Sequence, residues 1–318
     1  MSRRGGPPDA ARRPKPVLRG RGGAVSTLIV GCGYLGIRVA RLLRAEGQRV
    51  FATTRSRQRA EALAAEGIEP IIADVLDRES LSALPSVDRA LYCVGFDRKA
   101  GVPMGIVAVD GLRHALGKLA TRARRLVYSG SIGVYGNQGG DWIDEETPAS
   151  PETESGLASL AAEEAIREFS REYAFPVTIL RYSGLYGPGR LMRRDAISAG
   201  EPIPADPGSY LNVIHIDDAA SAALLALRAQ KPGPLYLVSD DRPVTRGEFY
   251  ARLAEALGAP APTFTEPTDT GPVRGRASKR VSNRKAKREL GLSLAFPDVS
   301  TGIPAALAAE RGDTQEGS

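Results

Sequence analysis

The sequence predicts an α/β fold, a doubly wound parallel sheet with a smaller C-terminal lobe. Three observations carry that expectation. Short apolar runs alternate with helices of about 10–15 residues, the pattern of βαβ units. A glycine-rich turn, Gly31-Cys32-Gly33-Tyr34-Leu35-Gly36, joins the first apolar run to the first helix. Beyond Gly187 the chain turns rich in proline and glycine, and its helices read as a separate, smaller unit.

The elements follow in order. Residues 27–30 form a strand-length apolar run that ends at a glycine. Residues 34–46 read as a helix because Leu35, Val39, Leu42 and Leu43 fall at helical spacing, and Gly47 stops it. Residues 49–53 are a second strand, 57–66 an Ala-rich helix closed by Gly67, and 70–73 a third strand ending at Asp74. A fourth strand spans 90–94, followed by a helix around 106–119 and a fifth strand over 126–129. A long helix over 157–173 precedes the sixth strand, 177–182, and residues 235–239 complete the sheet. Interleaved with these are a helix over 217–229 and one that opens at Thr245. Glu248, three residues on, gives Thr245 a capping box, and Gly258 ends that helix. Another helix follows Asn283 and ends at Gly291. The expected organisation is a tail over 1–25, a sheet domain over 26–186, a lobe over most of 187–310 and a short tail over 311–318.

Charge and composition narrow the function classes. The chain has 43 Lys+Arg against 37 Asp+Glu, a formal +6. The whole excess lies in residues 1–25, where Arg3, Arg4, Arg12, Arg13, Lys15, Arg19 and Arg21 face a single acid, Asp9. The remainder is neutral, which argues against a nucleic-acid partner. A second basic run, Arg274 to Arg288, could serve as a phosphate or nucleotide-sugar contact or an RNA patch, but a solvated face is the preferred reading. The 42% hydrophobic and 25% charged content is that of an ordinary soluble globular chain. No apolar run approaches the length of a membrane span, so no membrane partner is expected. The first 25 residues lack the apolar stretch of a secretory signal and read as a disordered tail. Two cysteines, Cys32 and Cys93, make neither a disulfide framework nor, with His114 and His215 as the sole histidines, a metal site. Together these features point to a cytoplasmic protein.

The turn at Gly31–Gly36 lies between a strand and a helix inside a βαβ unit, the context that a dinucleotide fingerprint requires. Gly31 suits the tight turn, Gly33 the approach of a pyrophosphate, and Gly36 the packing of helix on strand. The pyrophosphate would rest on the helix N-terminus beside Tyr34 and Leu35. NAD-binding strands usually end in an acidic residue that holds the ribose hydroxyls. Here the second strand runs into Thr54, Arg55 and Ser56, and a guanidinium suits a 2′-phosphate. NADP(H) is therefore expected in preference to NAD(H).

Several segments resemble the extended short-chain dehydrogenase/reductase superfamily, in its NAD-dependent epimerase/dehydratase branch. Gly31–Gly36 looks like its cofactor motif. Ala73-Asp74-Val75 looks like its adenine contact, and Tyr92-Cys93-Val94-Gly95 like its fourth-strand turn. The stretch from Val127 through Ser131 and Tyr135 to Gly136 resembles its fifth strand. The segments Leu180 to Gly189, Asn212 to Asp218 and Ser278 to Asn283 resemble its later motifs. The resemblance implies a Rossmann-type sheet, with Asp74, Val75, Val94 and Gly95 at the cofactor. It also implies a small-molecule substrate such as a nucleotide sugar, and a homodimer through the long helix. Related chains begin shortly before the first strand. If a GTG codon at Val25 initiates translation, residues 1–24 are expected to be absent from the cellular protein.

The catalytic pair departs from the family. Its Tyr-x-x-x-Lys aligns with Ser155 and Ser159, and none of the ten tyrosines has a lysine four residues later. A serine hydroxyl is far less acidic than a phenol and cannot replace it as a general acid near neutrality. The pattern resembles the superfamily's atypical branch, which keeps the cofactor site and lacks the usual active site. Ser131, Tyr135, Ser155 and Ser159 are the candidate catalytic positions. Ser131 would donate to a developing oxyanion. Tyr182, Tyr186 and His215 lie on motif loops that border the cleft in the resembled fold. Two readings stay open: an oxidoreductase, epimerase or dehydratase with a non-standard site, and a catalytically silent NADP(H)-binding sensor or interaction protein.

Overall fold

A computed structural model describes residues 25–97, 101–266 and 277–316. The expected tail over 1–25, apart from Val25, and Arg274 and Arg276 of the basic run lie outside the described residues. The chain builds β1 (Ser26–Val30), α1 (Tyr34–Ala45), β2 (Arg49–Thr54), α2 (Arg57–Ala65), β3 (Glu69–Ile72), β4 (Arg89–Tyr92), α3 (Leu112–Arg122) and β5 (Leu126–Ser131). It continues with α4 (Glu154–Tyr173), β6 (Val177–Tyr182), α5 (Arg194–Ser198), α6 (Ile216–Arg228), β7 (Leu235–Val238), α7 (Arg246–Leu257), α8 (Arg284–Leu290) and α9 (Val299–Glu316). The seven strands form one parallel sheet in the order β7-β6-β5-β4-β1-β2-β3. The order reverses at β1, which places a crevice at the carboxyl ends of β1 and β4.

β1 is buried at all five positions, as a strand covered on both faces must be. Ile29 packs with Leu35, Val39 and Leu43 of α1 and the small face of α6. Leu28 and Val30 point the other way, toward Leu112, Leu116 and Leu119 of α3 and Ile166 and Phe169 of α4. The lobe has its own core, in which Tyr186 and Ile203 meet Phe249 and Leu253 of α7 and Ile303 and Leu307 of α9.

Three differences from the sequence reading bear on the site. The helix expected from residue 106 opens as a π-type turn, Ile106–Gly111, before α3 begins. The long helix α4 starts at Glu154 rather than 157, because Thr153 caps it by accepting from the Gly156 amide at 3.0 Å. Ser155 is thereby drawn into the first turn. Helix α9 extends into the segment expected as a tail over 311–318. Gly302 belongs to it because a Cβ there would collide with the Tyr186 ring.

The sheet and α4 are joined by a buried ion pair. Glu163 is fully buried on α4 and takes a two-pronged bond from Arg181 on β6, at 2.9 and 2.7 Å. Arg167 adds a third bond at 2.7 Å. Removing one partner leaves an uncompensated buried charge. Glu163→Ala is expected to cost about 3–5 kcal/mol in urea unfolding, and Glu163→Ala with Arg181→Met to recover most of it. Equal losses in the single and double variants would contradict this coupling.

Candidate active site

Two recesses open at the carboxyl edge of the sheet, and Gly33, Val94 and Gly95 line both. They therefore form one continuous track. Along the outer recess lie Gly31, Thr54, Arg55, Asp74, Val75 and Asp97. This gathers most of the expected cofactor residues. The fit of the glycine turn to a dinucleotide is tested by what a Cβ would meet. Gly31 has φ +91°, and a Cβ there would lie 2.7 Å from the Val94 backbone. At Gly36 a Cβ would lie 2.7 Å from the Gly31 carbonyl oxygen. Gly33 has no atom within 4 Å of a Cβ, although it sits at the N-cap of α1 without a side-chain cap. The first two glycines serve the protein's own packing. The third keeps open a space in front of unpaired helix amides, where an anion fits.

Several expected residues have other attachments. Ser56 is exposed and caps α2, accepting from the Arg59 amide at 3.3 Å. The Asp74 carboxylate accepts from the Leu76 amide at 2.9 Å and shapes its own turn. Arg55 pairs with Asp97 at 3.3 Å, and both side chains are about half exposed. Asp97 carries no motif signal and was not anticipated.

The inner recess is a deep cleft between the sheet edge and the lobe. One wall carries Tyr34, Leu35, Ser129, Ser131 and Gly133, with Thr153 and Ser155 at the start of α4. The facing wall carries Arg190, Tyr210, Asn212, Arg246 and Lys279. Ser131 accepts from the Gly133 amide at 3.0 Å, which leaves its own hydroxyl proton available to the cleft. Ser155 lies 3.2 Å from the Thr153 hydroxyl. The two expected serines thus come together, and the other candidates do not.

Ser159 does not line the cleft; as a helix serine it turns back to donate to the Ser155 carbonyl at 2.7 Å. Tyr135 is fully buried, because the 3₁₀ turn after Ser131 rotates it into a core with Ile143, Leu237 and Val281. Its hydroxyl donates to the Asp144 carbonyl at 3.0 Å, so it is no proton donor for the cleft. Tyr182 donates to the Ala219 carbonyl at 3.1 Å, and Tyr186 is buried against Asp240. His215 is buried and serves as the N-cap of α6, with the Phe296 ring tilted against it at 4.0 Å between centroids. Burial lowers its proton affinity. In this structure all of them pack or cap, and of these residues only Tyr182 borders the cleft.

The facing wall was largely missed. Lys279 belongs to the run read as a solvated face, yet it is only 7% exposed. Arg246 is 6% exposed and reaches the Tyr210 and Ala277 carbonyls at 3.3 and 3.2 Å. Other members of the run do stay at the surface, such as Lys287, paired with Asp241, and Arg288, paired with Glu289. Among the described residues no group of three or more His, Cys, Asp or Glu could hold a metal ion, and no helix is long and apolar enough to cross a membrane.

Comparison with known proteins places this geometry. The sequence model of the NAD dependent epimerase/dehydratase family matches residues 27–238. Protein YeeZ of Escherichia coli (strain K12) is 31% identical over 276 residues, which cover 85% of this chain and 96% of that protein. A 3-diazoavenalumate denitrifying reductase of a Streptomyces species is 31% identical over 257 residues, 74% of this chain and 82% of the reductase. Among solved structures, a UDP-glucuronic acid 4-epimerase from Bacillus cereus, in complex with UDP-glucuronic acid and NAD, superposes with a TM-score of 0.75. It covers 91% of this chain and 99% of its own at 17% identity, a likeness of fold.

The open space at Gly33 generates a test. Gly33→Ala is expected to melt at the wild-type temperature without cofactor, since the added methyl meets nothing. It should lose most of the stabilisation that NADPH gives, because the methyl then occupies the place of the pyrophosphate. A full NADPH-induced shift in this variant would place the dinucleotide elsewhere.

Proposed function

The chain belongs to the NAD dependent epimerase/dehydratase family, and on that premise we propose that it is an NADP(H)-dependent reductase of a small molecule. The observation that carries this reading is the continuous track from the glycine turn into a cleft. There Ser131 and Ser155 face the cationic wall of Arg190, Arg246 and Lys279. When bound, the reduced dinucleotide supplies a hydride. Ser131 and Ser155 orient the acceptor by hydrogen bonds to its heteroatom. The cationic wall suits a substrate with a carboxylate or a phosphate, such as that of a nucleotide sugar. Reduction is favoured over epimerisation because the tyrosine that would take a proton back from an alcohol is missing. The relative named as a reductase supports the same choice.

The choice of NADP(H) rests on Arg55, with Thr54 and Ser56 beside it. An exposed ion pair such as Arg55 with Asp97 is worth about 0–1 kcal/mol, and a charge-assisted bond to phosphate about 1.5–3 kcal/mol. The 2′-phosphate therefore displaces Asp97. Leu157, exposed on α4 at 56%, suits a homodimer through that helix. The buried Cys32 and half-buried Cys93, both free thiols, suit the cytoplasm.

A melting series with NADPH, NADH and no cofactor tests cofactor choice. NADPH should give the larger shift, and Arg55→Ala should weaken NADPH about tenfold while leaving NADH nearly unchanged. Equal shifts in the wild-type protein would remove the argument from Arg55. The reductase reading is tested by the loss of dihydronicotinamide absorbance against aldehydes, keto-sugar nucleotides and an aromatic diazo acid. Tight NADPH binding with no turnover on any of them would favour the catalytically silent sensor instead.

A further inference from the structure

Reduction of a carbonyl or imine leaves a heteroatom that needs a proton. Ser131 and Ser155 can hold that atom but are too weakly acidic to protonate it. The hydroxyls of Tyr135, Tyr182 and Tyr186 are committed elsewhere, and His215 is buried outside the cleft lining. Lys279 stands on the lobe wall of the same cleft, nearly enclosed by protein. Among the described residues its Nζ makes a single hydrogen bond, to the Gly136 carbonyl at 2.5 Å, and none of their carboxylates lies within ion-pair distance. An ammonium has three donors, so two remain for the cleft. A buried cation without a carboxylate partner is costly, and a fold retains one where it has a task.

The backbone around Lys279 is held with unusual completeness. Asn212 spends both ends of its amide there. Nδ2 donates to the Lys279 carbonyl at 2.7 Å, and Oδ1 accepts from the Val281 amide at 3.0 Å. Residues Arg280 and Val281 pair with Trp142 and Ile143, and Arg280 lies over the rings of Trp142 and Tyr210. Lys279 is thus fixed at its root and again at its tip. Asn212 acts as its positioning residue.

Resting on the reductase reading, we propose that Lys279 is the proton donor of this cleft, in the role that the missing tyrosine would fill. As a hydride from the reduced nicotinamide bonds to carbon, the π pair of the C=O or C=N bond moves onto the heteroatom. Nζ gives that atom its proton. A C–H bond on the substrate carbon and an O–H or N–H bond form, while the nicotinamide C–H bond that supplied the hydride, the π bond and one N–H bond of Lys279 break. The substrate is reduced, the nicotinamide is oxidised, and the neutral amine regains a proton from water. The electrostatics agree. Burial first, and Arg246 second, pull the ammonium down to about 8, against the weaker attraction of Glu152. Arg190 and Tyr210 complete the polar groups on that wall. Below that value the group holds the proton it must deliver, and an acid with a proton affinity near the working pH transfers it most effectively.

The test follows Lys279 itself. Lysines labelled with ¹³C at Cε are titrated by NMR in the full-length protein, with the resonance assigned by its loss in Lys279→Met, or in Lys279→Arg should the first variant fail to fold. The expected midpoint is near 8, against about 10.4 for an ordinary lysine. It should be lower in the NADP⁺ complex than in the NADPH complex, because the pyridinium charge opposes a neighbouring ammonium. A midpoint in the ordinary range, or one indifferent to the redox state of the bound cofactor, overturns the assignment. If neither cofactor raises the melting temperature of the wild-type protein, the reductase reading fails first, and the assignment falls with it.

Discussion

The cleft depends on how closely three backbone segments approach one another at the carboxyl edge of the sheet. The turn after β1 must pass the end of β4 so tightly that a methyl group at Gly31 would strike the Val94 backbone. Helix α1 must then come down on that turn, with Gly36 against the Gly31 carbonyl. These contacts aim the free amides of α1 at the crevice where the strand order reverses, which is where a doubly wound sheet binds its ligand. The Cys93 thiol donates to the Gly31 carbonyl at 3.1 Å and closes the same junction from the β4 side. A larger side chain at Gly31 or Gly36 would therefore disturb the fold and the site together, whereas Gly33 separates the two.

The second constraint comes from the lobe. Its helices α6 and α8 pack into the sheet's core, while the rest of it supplies one wall of the cleft, and that wall is cationic. Its position is set by hydrogen bonds that cross long stretches of chain. Asn212 grips the segment that carries Lys279, and the Lys279 ammonium reaches the carbonyl of Gly136. Ser278 donates to the Asn137 side chain and accepts from the Tyr210 amide. The lobe is thus tied to the loop after β5, the strand whose end carries Ser131. A chain that has lost the helix-borne tyrosine and lysine still brings an acid-capable side chain to the space they would serve.

How much of this could be read from the sequence follows from the range of the interactions. The strands of the sheet and the turn Gly31–Gly36 are encoded locally, by apolar runs and glycine spacing, and they were legible. The start of α4 was misplaced because its cap, Thr153, precedes residues that are polar and carry no apolar period. Helix α9 escaped notice because Gly302 and Pro304 interrupt a pattern buried at Val299, Ile303, Ala306 and Leu307. Ser131 and Ser155 were found through the resemblance. Tyr135 lies in the core instead of the cleft because a single 3₁₀ turn decides which way it faces. Asp97 and Lys279 were missed for one reason. Arg55 meets Asp97 across 42 residues, and Lys279 meets Gly136 across 143, so no local pattern marks either contact. A lysine in a basic run is ordinarily solvated, and only tertiary packing removes this one from water.

On the reading proposed above, the glycine turn, the Arg55 strand end and the cationic cleft form one dinucleotide-and-substrate track. A crystal structure of the full chain with NADPH tests it most directly. The pyrophosphate should lie against the Gly33 amide, the 2′-phosphate on Arg55 with the Asp97 pair opened, and the nicotinamide in the inner recess between Ser131 and Lys279. A dinucleotide bound with its nicotinamide outside that recess, or with Arg55 still paired to Asp97, would contradict it.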